Sequence, residues 1–163
     1  MISTAILTIS DKGSRNERED TTGPSIKDTL PEDKYSVDYY KIIPDEIDII
    51  KKELIYLSDT VGINLVLTNG GTGFSKRDVT PEATIDVIEK QVPGIPEAMR
   101  NASLKITPKA MLSRAVSGIR KSTLIINLPG SPKGAVENLE VVLPALPHGI
   151  DILTGNASEC GRK

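Results

Sequence analysis

The chain has few of the side chains that enzymes use for thiol chemistry or for zinc binding. Its 163 residues include one cysteine, Cys160, and one histidine, His148. A single cysteine cannot form a disulfide within the chain, and a single histidine with no cysteine nearby lacks the partners of a zinc site. No Ser/His/Asp or Cys/His set is visible, which disfavours acyl transfer. We therefore interpret His148 as a structural residue and Cys160 as a residue without a catalytic role.

Long apolar runs and an excess of one charge are also missing. No apolar run approaches the roughly 18–20 residues of a membrane-spanning helix, and residues 1–4 do not begin a basic segment followed by an apolar one. The 20 basic and 22 acidic residues give a formal charge of −2. They form no basic patch of the kind that binds a phosphate backbone. We expect a cytoplasmic protein that binds neither nucleic acid nor a membrane.

Short, β-branched apolar segments alternate with longer amphipathic stretches, which is typical of βα units in a mostly parallel sheet. We predict strands over residues 5–9, 35–43, 63–68 and 123–128. Helices are predicted to begin near residues 23, 45, 80 and 132, with Thr80 as a candidate N-cap. Proline-containing breaks at residues 93–96 and 107–108 are predicted to interrupt the chain before the last strand. The length is that of one domain, so we expect a single domain over residues 1–155 and a polar tail over residues 156–163.

The first candidate site is a glycine-rich segment that directly follows the predicted strand at residues 63–68. It contains Gly70, Gly71, Thr72 and Gly73. Glycines can point successive backbone N–H groups at one spot and so form a cradle for an anion. Ligands of open α/β sheets bind beyond the carboxyl ends of the strands, where this segment is expected to lie. A flexible turn without a ligand is the alternative.

Neither of the common phosphate-binding motifs is present. There is no G-x-x-x-x-G-K-[ST], and no G-x-G-x-x-G follows the first strand, which disfavours a P-loop NTPase and an ordinary dinucleotide-binding dehydrogenase. The glycine segment continues to Arg77 and Asp78. A carboxylate about 4 Å from a phosphate costs roughly 4 kcal/mol at an effective dielectric near 20. Mg²⁺, a ligand donor or Arg77 would have to offset this repulsion; alternatively, Asp78 caps a helix or lies on the surface.

The second candidate site is the turn at residues 129–134. Ser131 is predicted to be a helix N-cap by its type, Pro132 suits the first helical position, and Lys133 can reach outward. Backbone donors at a helix start together with one lysine form an anion site. The alternative is a plain turn that begins a helix.

Acidic and basic residues elsewhere complete the set of candidates. Asp45 follows the second predicted strand and is either a third site residue or the cap of the next helix. Arg114, Arg120 and Lys121 form a basic cluster that we interpret as a solvated face. Two anion-binding loops with nearby carboxylates favour phosphoryl or nucleotidyl transfer.

The two loops with their flanking residues resemble the signature of a known family. The segment TNGGTGFSKRDVTPEA at residues 68–83 and the segment LPGSPKG at residues 128–134 are similar to those of the molybdopterin-binding family that includes MogA, MoaB and the G domain of gephyrin. Further similar segments are MLSR at residues 111–114, GIR at 118–120, SD at 10–11 and IPDE at 43–46. The likeness runs from about residue 4 to about residue 155, which is nearly the whole chain.

The resemblance implies a three-layer α/β/α fold with a mostly parallel central sheet, assembled as a homotrimer. It also implies a molybdopterin adenylyltransferase, a nucleotidyltransferase that joins AMP from Mg-ATP to the terminal phosphate of molybdopterin and releases pyrophosphate. The product would go to a second protein that inserts molybdenum. The alternative is a non-catalytic, MoaB-like protein that only binds molybdopterin as a carrier or assembly protein, because these members share the motifs.

The resemblance also assigns roles to individual residues. Asp45 and Asp78 match two acidic residues that are important for the reaction, and we expect them to hold Mg²⁺ and to position the phosphates of ATP. Substrate-binding roles are expected for Asp11, Gly70, Gly71, Thr72, Gly73, Ser75, Ser113, Pro129, Gly130, Ser131 and Lys133.

Overall fold

The computed structural model describes residues 1–156. Its strands are β1 (Ile2–Ile9), β2 (Tyr35–Ile43), β3 (Leu65–Asn69), β4 (Lys90–Gln91), β5 (Ser117–Arg120) and β6 (Thr123–Leu128). They form one six-stranded sheet in the order β2-β1-β3-β6-β5-β4. β2, β1, β3 and β6 are parallel, whereas β5 and β4 continue the sheet as antiparallel strands. The chain leaves β1 towards β2 and later returns to β3 on the other side of β1, so the topological switch point lies between β1 and β3.

Helices cover both faces of this sheet. They are α1 (Asp11–Ser14), α2 (Thr22–Thr29), α3 (Ile47–Ile55), α4 (Thr80–Val87), α5 (Gly94–Leu104), α6 (Pro132–Val142) and α7 (Leu146–Leu153). A π-helical turn (Tyr56–Val61) extends α3, and a 3-10 turn (Pro108–Leu112) follows α5. None of the helices within residues 1–156 combines the length and the apolarity that a membrane span requires.

The strands bury apolar side chains on both faces because their residues point alternately to the two sides. On one side, Ile6 of β1 belongs to a core cluster with residues of α2, α5, α6 and α7. On the other side, Ala5 and Leu7 belong to a cluster with residues of α3 and α4. The predicted three-layer α/β/α arrangement is therefore confirmed.

Most predicted elements are present, with two corrections. The prolines at residues 93–96 begin α5 instead of interrupting the chain, because a proline in the first helical turn removes no hydrogen bond of the helix. Thr80 is not the N-cap of α4; Val79 holds that position without a side-chain bond. The Thr80 hydroxyl instead donates to the Gly70 carbonyl at 2.9 Å.

The expected single domain over residues 1–155 stays a prediction. Of the predicted tail, residues 157–163, which include Cys160, lie outside the described residues.

Candidate active site

Two loops meet at the carboxyl ends of β3 and β6. We call residues 70–78 the glycine loop and residues 129–134 the serine loop. The Gly70 N–H donates to the Leu128 carbonyl at 3.2 Å, and a Cβ placed on Gly130 would lie 3.2 Å from the Gly70 Cα. The two loops, which follow neighbouring parallel strands, are therefore in direct backbone contact.

The backbone of the glycine loop requires glycine at its first two positions. Gly70 and Gly71 have positive φ values of 97° and 67°, in the left-handed region that other residues rarely adopt. A side chain at Gly70 would collide with the Ile9 carbonyl, and one at Gly71 would collide with the Thr80 hydroxyl. The same Cβ on Gly71 would lie 3.1 Å from the Asp45 Oδ1, so the Asp45 carboxylate borders the glycine loop.

The serine loop begins α6 as its residue types predict. Ser131 is the N-cap, and its Oγ accepts from the Gly134 N–H at 3.2 Å, with Pro132 at the first helical position. Lys133 has a side chain that is 84% exposed, and its Nζ lies 3.9 Å from Glu137. The start of α6 therefore presents backbone donors at the loop contact, while Lys133 points into solvent.

Two clefts open on either side of the contact between the loops. The first, of about 630 Å³, lies among the end of β1, residues 18–22 and both loops. The second, of about 350 Å³, lies among the two loops, α6 and the segment after α5. Ser131 lines both clefts. The other predicted site residues among the lining are Gly70 and Gly130 in the first cleft, and Thr72, Gly73, Ser113 and Pro129 in the second.

The remaining predicted residues lie beside the clefts and line neither of them. They are Asp11, Asp45, Gly71, Ser75, Asp78 and Lys133. The three aspartates form an acidic cluster, in which Asp78 is the last residue of the glycine loop and Asp11 and Asp45 lie next to that loop.

Within that cluster, Asp11 and Asp45 hold each other in place. The Asp11 N–H donates to the Asp45 Oδ2 at 2.9 Å, and the Asp45 N–H donates to the Asp11 Oδ1 at 3.1 Å. Arg77 binds Asp11 with Nε and Nη2, at 2.9 and 3.0 Å, and donates to Glu46 at 2.7 Å. Arg77 therefore pairs with Asp11 and Glu46, and the option that it offsets the charge of Asp78 is wrong.

Asp78 lies at the other end of the glycine loop. Its Oδ2 accepts from the Ser75 N–H at 2.9 Å, and a Cβ on Gly73 would lie 2.9 Å from the same oxygen. Helices α3 and α4 have Glu46 and Val79 as N-caps, without side-chain cap bonds. The alternatives in which Asp45 or Asp78 caps a helix are therefore wrong.

Burial and the neighbouring carboxylates oppose the ionisation of Asp45. Burial raises the pKa of Asp45, and the negative charges of Asp11 and Asp78 raise it further. The pKa of Asp11 is lowered, chiefly by its hydrogen bonds to Arg77. Asp45 and Asp78, which border Gly71 and Gly73, thus repel each other across the glycine loop, and a cation near both would remove this repulsion.

Asp20 is a functional candidate that the sequence analysis missed. Its carboxylate lines the first cleft and accepts from the hydroxyls of Thr8 and Tyr40, both at 2.5 Å. It also accepts from the N–H groups of Thr22 and Gly23, at 2.9 and 3.1 Å. Burial opposes its ionisation, but these four hydrogen bonds outweigh burial and lower its pKa. The signal in the sequence was an aspartate just before a helix, where such residues commonly bind free N–H groups.

Arg114 was misinterpreted as part of a solvated face. Its Nε donates to the Gly73 carbonyl and its Nη2 to the Asp78 carbonyl, both at 2.7 Å, and it forms an ion pair with Glu82. Arg120, in contrast, binds Asp59 at 2.9 and 2.6 Å and the Val87 carbonyl at 2.9 Å, away from both loops. Of the three basic residues, only Arg114 contacts the glycine loop.

Among residues 1–156, no group of three or more His, Cys, Asp or Glu side chains is arranged to hold a metal ion. A cation bound by Asp45 and Asp78 would therefore need oxygen atoms of a ligand or of water to complete its coordination.

An open α/β/α sheet with two contacting glycine-containing loops at the carboxyl ends of its strands defines a class of proteins that bind anionic small molecules. Residues 5–148 match the family model described as "Probable molybdopterin binding domain". That match spans most of the chain. The chain therefore belongs to the molybdopterin-binding family, as its motifs predicted.

Relatives across this family align with nearly the whole chain. A Helicobacter pylori protein named molybdopterin adenylyltransferase is 46% identical over 162 residues, which cover 97% of this chain and 91% of that protein. An Escherichia coli K12 protein of the same name is 42% identical over 152 residues, which cover 89% of this chain and 77% of that protein. The crystal structure of the molybdopterin biosynthesis enzyme MoaB from Thermus thermophilus superposes on this chain with a TM-score of 0.91. The sequences are 52% identical, and the superposition covers 95% of this chain and 98% of that chain.

Proposed function

We propose that this protein is a molybdopterin adenylyltransferase of molybdenum cofactor biosynthesis. It transfers AMP from ATP to molybdopterin, which gives adenylylated molybdopterin and pyrophosphate. The observation that carries the proposal is the presence of two clefts that meet at Ser131, beside two carboxylates that repel each other. A reaction that joins two phosphorylated substrates needs two adjoining sites and a means of neutralising negative charge.

The lining of the clefts suggests which substrate each one accepts. Four residues to which the family resemblance assigns contacts with the pterin line the second cleft, namely Thr72, Gly73, Ser113 and Pro129. Two others of that set, Gly70 and Gly130, line the first cleft, so on the larger number we assign the second cleft to the pterin. We assign the first, larger cleft to ATP, with the phosphates directed towards Ser131. Backbone N–H groups at the start of α6 and in the glycine loop then stabilise the phosphates that lie between the clefts.

Asp45 and Asp78 fit a magnesium ion that binds together with the nucleotide. Mg²⁺ in phosphate-transferring sites is usually held by one or two carboxylates plus substrate phosphates and waters. Within residues 1–156 the two carboxylates have no third protein ligand beside them, which matches that pattern. Burial together with the neighbouring negative charges raises the pKa of Asp45. The ion would supply charge neutralisation on the phosphates, while the protein holds the attacking phosphate of the pterin in line with the α-phosphorus.

Incubation of the purified protein with molybdopterin, ATP and Mg²⁺ tests the proposal, with the product identified by its mass. We expect adenylylated molybdopterin and pyrophosphate in equal amounts. Binding of the pterin without any product would support the carrier function instead. Tight binding of ATP without binding of the pterin would indicate a nucleotide-binding enzyme of another pathway.

The remaining expectations, from the family resemblance or from the composition of the sequence, stay predictions. They are assembly as a homotrimer, a cytoplasmic location, and delivery of the product to a separate protein that inserts molybdenum.

A further inference from the structure

Arg114 contacts both ends of the glycine loop segment that carries Asp78. Its Nε donates to the Gly73 carbonyl and its Nη2 donates to the Asp78 carbonyl, each at 2.7 Å. Its backbone N–H donates to the Thr72 carbonyl at 3.0 Å. One residue therefore fixes the distance between the start and the end of this segment.

The same side chain connects the segment to its surroundings. Its Nη1 forms an ion pair with Glu82 in the first turn of α4. Arg114 directly follows Ser113, which lines the second cleft. The guanidinium thus ties the wall of the second cleft, both ends of the segment and the start of α4 together.

We propose that Arg114 is a positioning residue for adenylyl transfer, because its guanidinium sets the separation of Gly73 and Asp78 and so places the Asp78 carboxylate beside the two clefts. This inference rests on the proposed function. The three acceptors of Arg114 lie in different directions around a planar group with five donors. A lysine keeps the positive charge but concentrates its donors on one atom, so it cannot hold all three acceptors at these positions.

The chain offers a matched control in Arg120. Like Arg114, Arg120 pairs with one carboxylate and donates to a backbone carbonyl. The Arg120 side chain is 20% exposed and the Arg114 side chain is 32% exposed. Arg120 lies on β5 and contacts neither loop. Arg114→Lys and Arg120→Lys therefore remove similar interactions, and only the first lies at the proposed site.

Both variants are compared with the wild type in kcat, in KM for each substrate, in the Mg²⁺ concentration that gives half the maximal rate, and in Tm. Since a misplacement of about 1 Å lowers rates by up to about 100-fold, we expect Arg114→Lys to lower kcat by about 10- to 100-fold. We also expect it to raise the Mg²⁺ requirement by a larger factor than the KM for the pterin, because the backbone bond from Arg114 to Thr72 in the second cleft is kept in the variant. Arg120→Lys is expected to keep the kcat and the Mg²⁺ requirement of the wild type, even if its Tm falls as much as that of Arg114→Lys.

A second measurement follows the loop without using activity. Lys76 and Arg77 lie inside the segment that Arg114 closes, so trypsin cleaves there faster once the segment is released. We expect faster cleavage at these two residues in Arg114→Lys than in the wild type or in Arg120→Lys. If Arg114→Lys does not fold, Glu82→Gln weakens the same anchor, and we expect a smaller loss of kcat with the same rise in the Mg²⁺ requirement.

Two results would overturn the inference in distinguishable ways. If Arg114→Lys equals Arg120→Lys in kcat, Mg²⁺ requirement and cleavage rate, Arg114 has only a structural role and the proposed function stands. If the wild type forms no product, the proposed function fails, and the positioning role fails with it.

Discussion

At the scale of single residues, the site depends on glycines that leave room for neighbouring groups and on the carboxylates of Asp45 and Asp78. Gly71 combines a positive φ with a position at which an added Cβ would meet the Thr80 hydroxyl and the Asp45 carboxylate. Asp78 has one hydrogen-bonded oxygen, at Ser75. Substitutions at both positions therefore have effects that the structure defines.

We expect Gly71→Ala to disrupt the glycine loop. The added Cβ would be strained at this φ and would collide with the Thr80 hydroxyl, so we expect a loss of about 1–3 kcal/mol in the free energy of unfolding together with weak pterin binding. Urea denaturation and pterin fluorescence titration measure the two effects. Gly149→Ala is the control, since nothing lies within 4 Å of its added Cβ, and we expect it to stabilise α7 by about 0.5–1 kcal/mol. Equal effects of the two substitutions would contradict this account.

Asp78→Asn is expected to separate binding from catalysis. The amide oxygen can still accept from the Ser75 N–H, but the negative charge is lost. We expect the rate of adenylyl transfer to fall by about 100-fold or more, with the Kd for the pterin changed less than about threefold. Product mass and pterin titration measure these quantities, with Asp86→Asn, on the surface of α4 beside Lys51, as the control. A variant that retains full activity would exclude Asp78 from the reaction.

At the scale of elements, Asp20 joins β1, β2 and α2. Thr8, Tyr40 and the first turn of α2 all donate to its carboxylate, and Thr22 of that turn also donates to the Gly130 carbonyl at 2.9 Å. The wall of the first cleft thus depends on one ionised group.

We expect the contribution of Asp20 to stability to depend on pH in a defined direction. Its pKa in the folded protein is lowered from the ordinary value of 3.8, so the folded state binds fewer protons than the unfolded state in this range. The stabilisation is therefore present above pH 3.8 and is lost as the pH falls through the folded pKa. Asp20→Asn should cost about 1–3 kcal/mol near neutral pH, and its difference from the wild type should shrink below pH 3.8.

Urea denaturation at several pH values measures this difference. Asp28→Asn, exposed on the same helix, is the control, and we expect a change of less than about 0.5 kcal/mol at each pH. A constant difference between Asp20→Asn and the wild type across the pH range would show that ionisation of Asp20 does not contribute.

Elements with strong periodicity were predictable from sequence, whereas the short ones were not. β2 and β6 have the predicted bounds because nine and six residues of extended character lie between turn signals. β4 has two exposed residues, and β5 contains Gly118, where a side chain would meet the Lys90 carbonyl at 2.6 Å. Neither strand has a pattern of its own, because each depends on pairing with its neighbour.

At the scale of the whole molecule, parallel topology explains why part of the site was predictable. Loops after parallel strands lie at one edge of the sheet, so the shared edge of the glycine and serine loops was predictable. Their direct contact depends on the pairing of β3 with β6, which no sequence pattern predicted. The long-range contacts at Arg114 and beside Asp20 were not predictable. Arg114 binds Glu82 across 32 residues of sequence, and the contact from Thr22 to Gly130 beside Asp20 spans 108 residues. Spacing along the sequence does not reveal such contacts.

Two adjoining clefts predict that both substrates bind at once. We expect initial rates that vary with both substrates to give intersecting double-reciprocal lines, since direct transfer needs a ternary complex. A non-hydrolysable ATP analogue and the pterin should each stabilise the fold, by about 2.7 kcal/mol at 100 times Kd, and their effects should add. Parallel double-reciprocal lines, or competition between the ATP analogue and the pterin, would indicate that the two substrates occupy one site in succession.

The position of Ser131 in the lining of both clefts also has a consequence for inhibitor design. A molecule that joins a pterin to an adenosine through a phosphate-like linker would cross from one cleft into the other at this serine. Linking two weakly bound fragments converts the second binding event into an intramolecular one and can raise affinity by about 100- to 10,000-fold. The length of that linker is then the variable to optimise, because the binding of one end in its cleft fixes the distance at which the other end must reach its own cleft.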